Sequence, residues 1–430
     1  MRIVIVGAGQ AAASMAARLR AKGHDGPLTV IGQEPAAPYQ RPPLSKAYLL
    51  GDMALDRLTL RAPDWWRDQG IDLRLGETAT AIDAQARVIT TDAGDHPYDA
   101  LALTLGAEPR RLPAAMGGDL PGTHVIRDLA DIDALAPVLT AGRNLVVIGG
   151  GYIGLEAAAV ARKLGLNVTL VEAAPRILGR VASPQTSQII AALHHAHGVT
   201  ILENTGISAL QGDDRVTGVA LNDGRVLPAD LVVMGIGVLP RVQLAETAGL
   251  HLDNGIATDA TGRTSDAAIW AAGDCASFPH EGGQIRLESV GGAIDMAECV
   301  ADNMLGQARD YVAKPWFWSD QFDAKLQIAG LNSGYDRTVL RAGQGDHCAS
   351  VWYYRQGRLI AVDALNDARA YMIGKRLIEA GRSPDPDLIA DAPDLKALMT
   401  MMPTPRHSRE GTAPGGRGGQ AAPRRRGTQS

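Results

Sequence analysis

Cysteine is nearly absent from this 430-residue chain, whose three, Cys275, Cys299 and Cys348, lie far apart. That spacing supports neither a disulfide framework nor a zinc cluster, so no metal ligand set is expected. Aromatic residues are scarce as well, at 4% against 49 glycines, a balance that fits an α/β protein with close helix–sheet packing. No apolar run reaches the roughly 18 residues of a membrane-crossing helix. Met1-Arg2-Ile3-Val4-Ile5 enters a strand-like run directly, without the basic and apolar regions of a signal peptide, so a cytoplasmic protein with no membrane partner is expected. Positive charge is short too. The net charge is -5, and the stretch from Pro403 holds six arginines against Glu410, which leaves -10 on the rest and argues against nucleic acid as a partner. Pro, Gly, Arg and Ser dominate residues 403–430, which cannot build a core and are expected to be disordered.

What is present is organised around residues 143–172. Leu145-Val146-Val147-Ile148 reads as a buried parallel strand, Gly149-Gly150-Gly151-Tyr152-Ile153-Gly154 as a tight turn, Leu155 to Leu164 as a helix, and Asn167 to Glu172 as a second strand. Gly149 makes the turn, Gly151 lets backbone approach a pyrophosphate, and Gly154 lets helix and strand pack closely. The helix N-terminus offers free N–H groups to the anion. Glu172, ending the second strand, is placed to accept from a ribose 2′-OH and to repel a 2′-phosphate, which predicts NADH over NADPH. Such a motif identifies a cofactor, not a reaction.

The N-terminus repeats this logic. Ile3 to Val6 is followed by Gly7-Ala8-Gly9-Gln10-Ala11-Ala12, a helix through Arg20 and the strand Leu28 to Ile31, with Ala12 in the third glycine position. Two such units imply two nucleotides. At the ribose position either Gln33 or Glu34 could reach a hydroxyl, or Glu34 is a solvated loop acid. Next, in Pro38-Tyr39-Gln40-Arg41-Pro42-Pro43-Leu44-Ser45-Lys46, the prolines enforce extended backbone and Ser45 could cap a helix that carries Lys46 inward.

Pro-Tyr-x-Arg-Pro-Pro-Leu-Ser-Lys after an N-terminal dinucleotide motif closely resembles the FAD-dependent, NADH-linked ferredoxin reductases of oxygenase systems. These are the putidaredoxin-reductase and rubredoxin-reductase-like flavoproteins, with apoptosis-inducing factor a more distant relative, and the resemblance covers Met1 to about Met402. It implies that Lys46 lies against the flavin N5 region and pairs with Glu156, which follows the second glycine loop. It places Gly7, Gly9, Ala11, Ala12, Gln33, Glu34 and Arg41 at FAD, lays Ala79 along the adenine, and matches Arg110 and Arg127 to arginines near the FAD phosphates and flavin. Tyr98 to Ala107 is similar to the family's Ala-Thr-Gly-Ala strand end, with Thr104 and Leu105 in place of Ala and Thr. Ile269-Trp270-Ala271-Ala272-Gly273-Asp274 resembles the second FAD fingerprint, its acid directed at the ribityl chain or a phosphate-bound water. Arg286-Leu287-Glu288-Ser289-Val290 resembles the segment at the flavin ring, adding Glu288 and Val290 to the FAD set, with Gly291-Gly292 where the family has Gln-Asn. Pro315 to Phe322 matches the aromatic segment, with Trp318 preferred as a lid on the flavin. The NAD set is Gly149, Gly151, Tyr152, Ile153, Gly154, Glu172 and Gly237, the last on a Gly235-x-Gly237 stretch that lies under the nicotinamide or is a glycine-rich crossover.

Ile201-Leu202 and Val216 to Leu221 around the turn Asn222-Asp223-Gly224 read as a hairpin. Alternating runs from Leu326 to Val362 read as an antiparallel sheet, with helices near Arg369 to Ala380 and Asp394 to Met401. The expected fold class is therefore α/β with two dinucleotide-binding Rossmann-like domains and a C-terminal α+β domain, the glutathione-reductase-like architecture. The expected boundaries are a discontinuous FAD domain, 1–108 and 236–312, an NAD domain, 109–235, a C-terminal domain, 313–402, and the tail. The resemblance implies transfer of electrons from NADH through FAD to a transiently docked [2Fe–2S] ferredoxin that feeds a cytochrome P450 or Rieske oxygenase, by a monomer or weak dimer. A disulfide reductase would need a Cys-x-x-Cys or Cys-x(4)-Cys dithiol, and Cys275 stands alone. A flavin-bound redox sensor resembling apoptosis-inducing factor, or a rubredoxin reductase, are the other readings.

Overall fold

The computed structural model describes residues 1–399 apart from 346 and 393, so the expected tail lies outside the described residues. Three five-stranded sheets carry the fold. In the first, the strands Ile269–Ala271, Ala100–Leu103, Ile3–Val6, Leu28–Gly32 and Ile71–Leu75 lie side by side in that order, all parallel. The second orders Thr200–Leu202, Asn167–Val171, Asn144–Ile148, Leu231–Met234 and Thr123–His124, again all parallel. The central strands, Ile3–Val6 and Asn144–Ile148, are apolar apart from Asn144 because both faces are covered, and Ile3 to Val6 and Leu145 to Ile148 are all buried. In the third, Trp316–Gln321, Ala324–Gly330, Arg358–Leu365, Ala349–Arg355 and Arg337–Ala342 run antiparallel, with the helix Ala368–Glu379 packed on it.

The two parallel sheets turn their glycine loops in the same way. Gly7 and Gly149 directly follow the central strands with φ of +102° and +100°. A Cβ on Gly7 would come 2.3 Å from the Thr104 carbonyl oxygen, and one on Gly149 would come 2.4 Å from that of Gly235. Each blocking carbonyl belongs to the residue just past the neighbouring strand, so only glycine completes the turn in either sheet. Thr104 is itself held there, its hydroxyl donating to the carbonyls of Val6 and Gly7.

The first sheet's core draws on residues both before 109 and after 240, in one cluster that runs from Ile3 through Leu103 to Tyr311. The helix Gln10–Ala21 packs on the helix Val290–Met304, and Arg18 clamps buried Asp302 with two bonds of 2.8 and 2.7 Å. The two chain crossings between the parallel sheets, Ala107–Pro109 and Val238–Pro240, pair antiparallel with each other.

Several local expectations differ from the structure. The second glycine loop's helix is Tyr152–Lys163, starting three residues before Leu155, because the turn closes at Gly151. Pro42–Ser45 is a 3-10 turn, and Ser45 makes no side-chain cap because its hydroxyl is spent on Glu156. Ile201 and Leu202 join the parallel sheet beside Asn167–Val171; the hairpin is Gly218–Leu221 with Val226–Pro228, flanked by Ile207–Gln211. The expected last helix is a short 3-10 turn, Leu395–Met399, that leaves Asp394 outside it, and residues 400 and 401 lie outside the described residues.

Candidate active site

A cavity of about 1090 Å³ opens at the carboxyl ends of the first sheet, roofed by the Tyr152–Lys163 helix and the Trp316–Gln321 strand. Its lining includes Gly7, Gly9, Ala11, Gln33, Glu34, Arg41, Lys46, Ala79, Arg127, Asp274, Glu288, Val290 and Trp318, together with Tyr152, Ile153 and Glu156 from the second loop's helix. Segments more than two hundred residues apart thus meet around one space.

That space suits a dinucleotide. A Cβ on Gly9 would meet nothing within 4 Å, and one on Gly151 only the Gly235 carbonyl at 4.0 Å, so neither glycine is needed for packing against protein. Both are N-caps without a side-chain cap bond, and neither helix has an acid in its first turn. The free N–H groups of these helix starts are available to a phosphate. The third positions do pack. A Cβ on Gly154 would come 2.1 Å from the Gly149 carbonyl, whereas Ala12 is fully buried in the first core and does not line the cavity.

Around the cavity, the polar side chains are tied to one another. The Glu34 carboxylate accepts from the Tyr39 hydroxyl at 2.5 Å and forms a short ion pair with Arg41, so it is a fixed group and not a solvated loop acid. Arg41 also donates to the Arg127 carbonyl at 2.7 Å. Burial pushes the Tyr39 phenol well above its ordinary value, which keeps it a donor. Gln33 accepts from Arg241, and Arg127 pairs with Asp274 at 3.2 Å. Glu288 pairs with Arg286, and Ser289 caps the Val290–Met304 helix. Gly291 now has a physical reason, since a Cβ there would lie 2.4 Å from the Trp316 indole nitrogen, and Trp316 stacks on Trp318.

Lys46 and Glu156 meet as a pair with Nζ to Oε2 at 2.7 Å, Lys46 lining the cavity and Glu156 buried. Oε2 also accepts from Ser45 at 2.5 Å, and Oε1 accepts from Ser319 at 2.6 Å. Burial pushes the Glu156 carboxyl up, and Lys46 is the largest influence opposing it, followed by Ser319 and Ser45.

The second loop's remaining residues lie outside the cavity lining. Glu172 accepts from the Gly150 N–H through one oxygen and from the Ala174 N–H through the other, both at 2.7 Å, so it braces the loop as well as ending the strand. Gly237 has φ of +96°. Arg110, expected with FAD, is not among the cavity-lining residues: its N–H donates to the Gly237 carbonyl, and its side chain lies beside Gly237 with that of Arg180. Sequence reasoning missed Ser45, Ser319, Gln321, His194 and Tyr39. The alternation of Ser319 and Gln321 on one strand was the available signal; nothing local pointed to His194.

Two parallel sheets with matching anion-ready glycine loops, a cavity at the carboxyl ends of the first and a buried Lys–Glu pair linking that cavity to the second loop's helix are the features of a two-nucleotide protein. The pyridine nucleotide-disulphide oxidoreductase family model matches residues 1–297, and a reductase C-terminal model matches 316–399. A ferredoxin–NAD(P)+ reductase of a Sphingomonas species is 43% identical over 93% of this chain and 98% of its own. Rhodocoxin reductase of Rhodococcus erythropolis is 42% identical over 93% and 94%. A solved covalent complex of putidaredoxin reductase with putidaredoxin matches with a TM-score of 0.89 at 39% identity, over 93% of this chain and 98% of that one. The chain belongs to the pyridine nucleotide-disulphide oxidoreductase family, in its ferredoxin reductase branch, and is an oxidoreductase.

The disulphide in that family name has no counterpart here. All three cysteines are free, and burial pushes the Cys275 thiol up to about 11, where its S–H donates to the Leu103 carbonyl. It is a small core residue. Among the described residues no cluster of His, Cys, Asp and Glu is arranged to hold a metal, and no helix is long and apolar enough to cross a membrane.

Proposed function

We propose that this protein passes electrons from NADH through FAD to a [2Fe–2S] ferredoxin that serves a cytochrome P450 or Rieske oxygenase. The observation that carries this is the Lys46–Glu156 pair, which joins the FAD-side turn to the helix of the second glycine loop at the wall of the cavity. Bound flavin supplies the chemistry that turns one hydride into two single electrons. The chain's own part is to bind, orient and exclude water, and it need supply no acid, base or nucleophile.

Gly7, Gly9 and the Gln10–Ala21 helix start hold the FAD pyrophosphate, with Gln33 and Glu34 at its ribose end, Ala79 beside the adenine and Arg127 and Asp274 further along. Lys46 carries its ammonium to the flavin N5 side, and Glu156 fixes where it sits. Trp318, backed by its stack on Trp316, covers the flavin against water. NADH lies on Gly149, Gly151 and Gly154, near Gly237, with Glu172 disfavouring a 2′-phosphate. The ferredoxin docks only transiently, the reductase acts as a monomer or weak dimer, and its need for NADH places it in the cytoplasm.

The test is NADH-dependent cytochrome c reduction by the purified yellow protein across a panel of [2Fe–2S] ferredoxins. At least one ferredoxin is expected to stimulate the rate. No stimulation by any would move the reading to a flavin-bound sensor.

A further inference from the structure

Behind Glu156 lies a file of buried polar groups that the reaction as described does not use. Its outer oxygen takes Lys46 and Ser45; its inner oxygen, Oε1, faces the Ser319 hydroxyl at 2.6 Å. Ser319 Oγ is 3.0 Å from Gln321 Nε2, and Gln321 Oε1 is 2.8 Å from His194 Nε2. Ser319, Gln321 and His194 are all buried, and His194 Nδ1 has no partner. Ser319 and Gln321 belong to the strand whose opposite face carries Trp318 into the cavity, and His194 comes from the helix Pro184–Ala196.

The direction of every bond follows from the carboxylate. An ionised Glu156 only accepts, so the single Ser319 proton points at it and Ser319 Oγ must accept. Only the amide N–H₂ of Gln321 can supply that bond, which turns the amide oxygen toward His194. An amide oxygen only accepts, so His194 carries its proton on Nε2. The chain His194, Gln321, Ser319, Glu156 therefore runs one way, each donor aimed toward the carboxylate.

A proton on the inner oxygen of Glu156 would have to reverse it. Ser319 would then donate to Gln321, the buried amide would turn over, and His194 would move its proton to Nδ1, where no acceptor stands. That placement is opposed at the imidazole end, whereas a proton on the outer oxygen would compete with the Lys46 and Ser45 bonds and leave Ser319 donating to a neutral oxygen, a weaker bond than the one it makes to the carboxylate. We propose that Ser319, Gln321 and His194 are positioning residues that hold Glu156 as a carboxylate and so keep Lys46 in place at the cavity; this rests on the reading of Lys46 as the flavin-side lysine.

Lys46 is the largest influence favouring the carboxylate, but it and Ser45 act at the outer oxygen, which leaves the inner oxygen to Ser319. Tyr152, one turn earlier on the same helix, has a phenol that burial pushes well up and keeps neutral. Around His194 lie Phe322, His195 and His197, and burial pushes its imidazole down to about 4, so it is neutral at working pH.

The experiment uses the FAD-loaded full chain as wild type, Ser319→Ala and Gln321→Met. Infrared titration reads the acid carbonyl band of Glu156, assigned as the band lost in Glu156→Gln. Nitrogen NMR reads the His194 tautomer, and stopped flow reads reduction of bound flavin by NADH across pH. In Ser319→Ala the acid band should appear about one pH unit or more higher than in wild type, since a bond to a charged group is lost. Gln321→Met should shift it the same way by less, and the flavin-reduction rate should fall at the same inflections. Wild-type His194 should carry its proton on Nε2. A folded Ser319→Ala or Gln321→Met with a wild-type titration, or an Nδ1–H imidazole in wild type, would overturn the proposal. Should Ser319→Ala fail to fold, Gln321→Met decides. A wild type that NADH does not reduce would sink the functional reading, while the infrared and nitrogen spectra would still decide the chain.

Discussion

At the scale of single residues, the Lys46–Glu156 pair should behave as a unit. Glu156 is 3% exposed, so removing its cation leaves an uncompensated buried charge. Lys46→Met should destabilise the protein by about 3 kcal/mol in urea unfolding, and Lys46→Met with Glu156→Leu should recover most of that loss; equal losses would show the two are uncoupled. The glycines separate binding from folding. Gly154→Ala drives a Cβ to 2.1 Å from a backbone oxygen and should cost about 1–3 kcal/mol or more. Gly9→Ala meets no protein atom within 4 Å, so its thermal unfolding without flavin should match wild type while its affinity for FAD falls. Glu172→Ala should narrow the preference for NADH over NADPH in steady-state kinetics. Because it also removes the acceptor of the Gly150 and Ala174 N–H groups, kcat/KM for NADH should fall as well. Unchanged NADH kinetics would contradict the bracing role.

At the scale of elements, the contact between the Pro184–Ala196 helix and the third sheet holds two buried titrating groups of opposite sense. Asp363 accepts from Thr186 and Tyr353, yet burial pushes its carboxyl from 3.8 up to about 6. The folded form binds that proton more tightly than the unfolded one, so its contribution is fully present below pH 3.8 and is lost as pH rises through about 6. His194 is pushed down from 6.5 to about 4, so its contribution is present above pH 6.5 and is lost as pH falls through about 4. At 1.36 kcal/mol per pH unit each is worth about 3 kcal/mol, and between pH 4 and 6 they nearly cancel. Thermal unfolding scans should therefore show that Asp363→Asn has a Tm rising with pH across this window relative to wild type. His194→Asn should show the reverse, and parallel profiles for all three would refute the balance. Neither group was legible in the sequence, whereas both glycine loops were. A loop's strand, turn and helix are neighbours in the chain, and their spacing records the geometry directly. The partners of Glu34, Asp274 and Glu156 come from Arg41, Arg127 and Ser319, and the last two pairings cross well over a hundred residues. Only the fold brings those together.

At the scale of the whole molecule, the second and third sheets share a core with an N-terminal segment in a way that chain segmentation hides. One cluster joins Ile132, Leu155 and Leu166 of the middle of the chain to Leu44 and Leu58 from the N-terminal part and to Leu326 and Leu365 of the third sheet. Those last four leucines are all buried. At about 1.5–3 kcal/mol for each fully buried leucine, the four are worth about 6–12 kcal/mol, the size of a whole domain's net stability. A fragment of residues 109–235 would keep its strands and glycine loop and lose that cover. It should bind ANS and unfold without a sharp transition by circular dichroism, whereas the chain through residue 399 should unfold cooperatively and bind little dye. A fragment that melts sharply would show that the second sheet's own core suffices. The same shared cover explains why the Lys46–Glu156 pair can sit where it does, since Leu44 packs the turn that carries Lys46 into one core with the Tyr152–Lys163 helix.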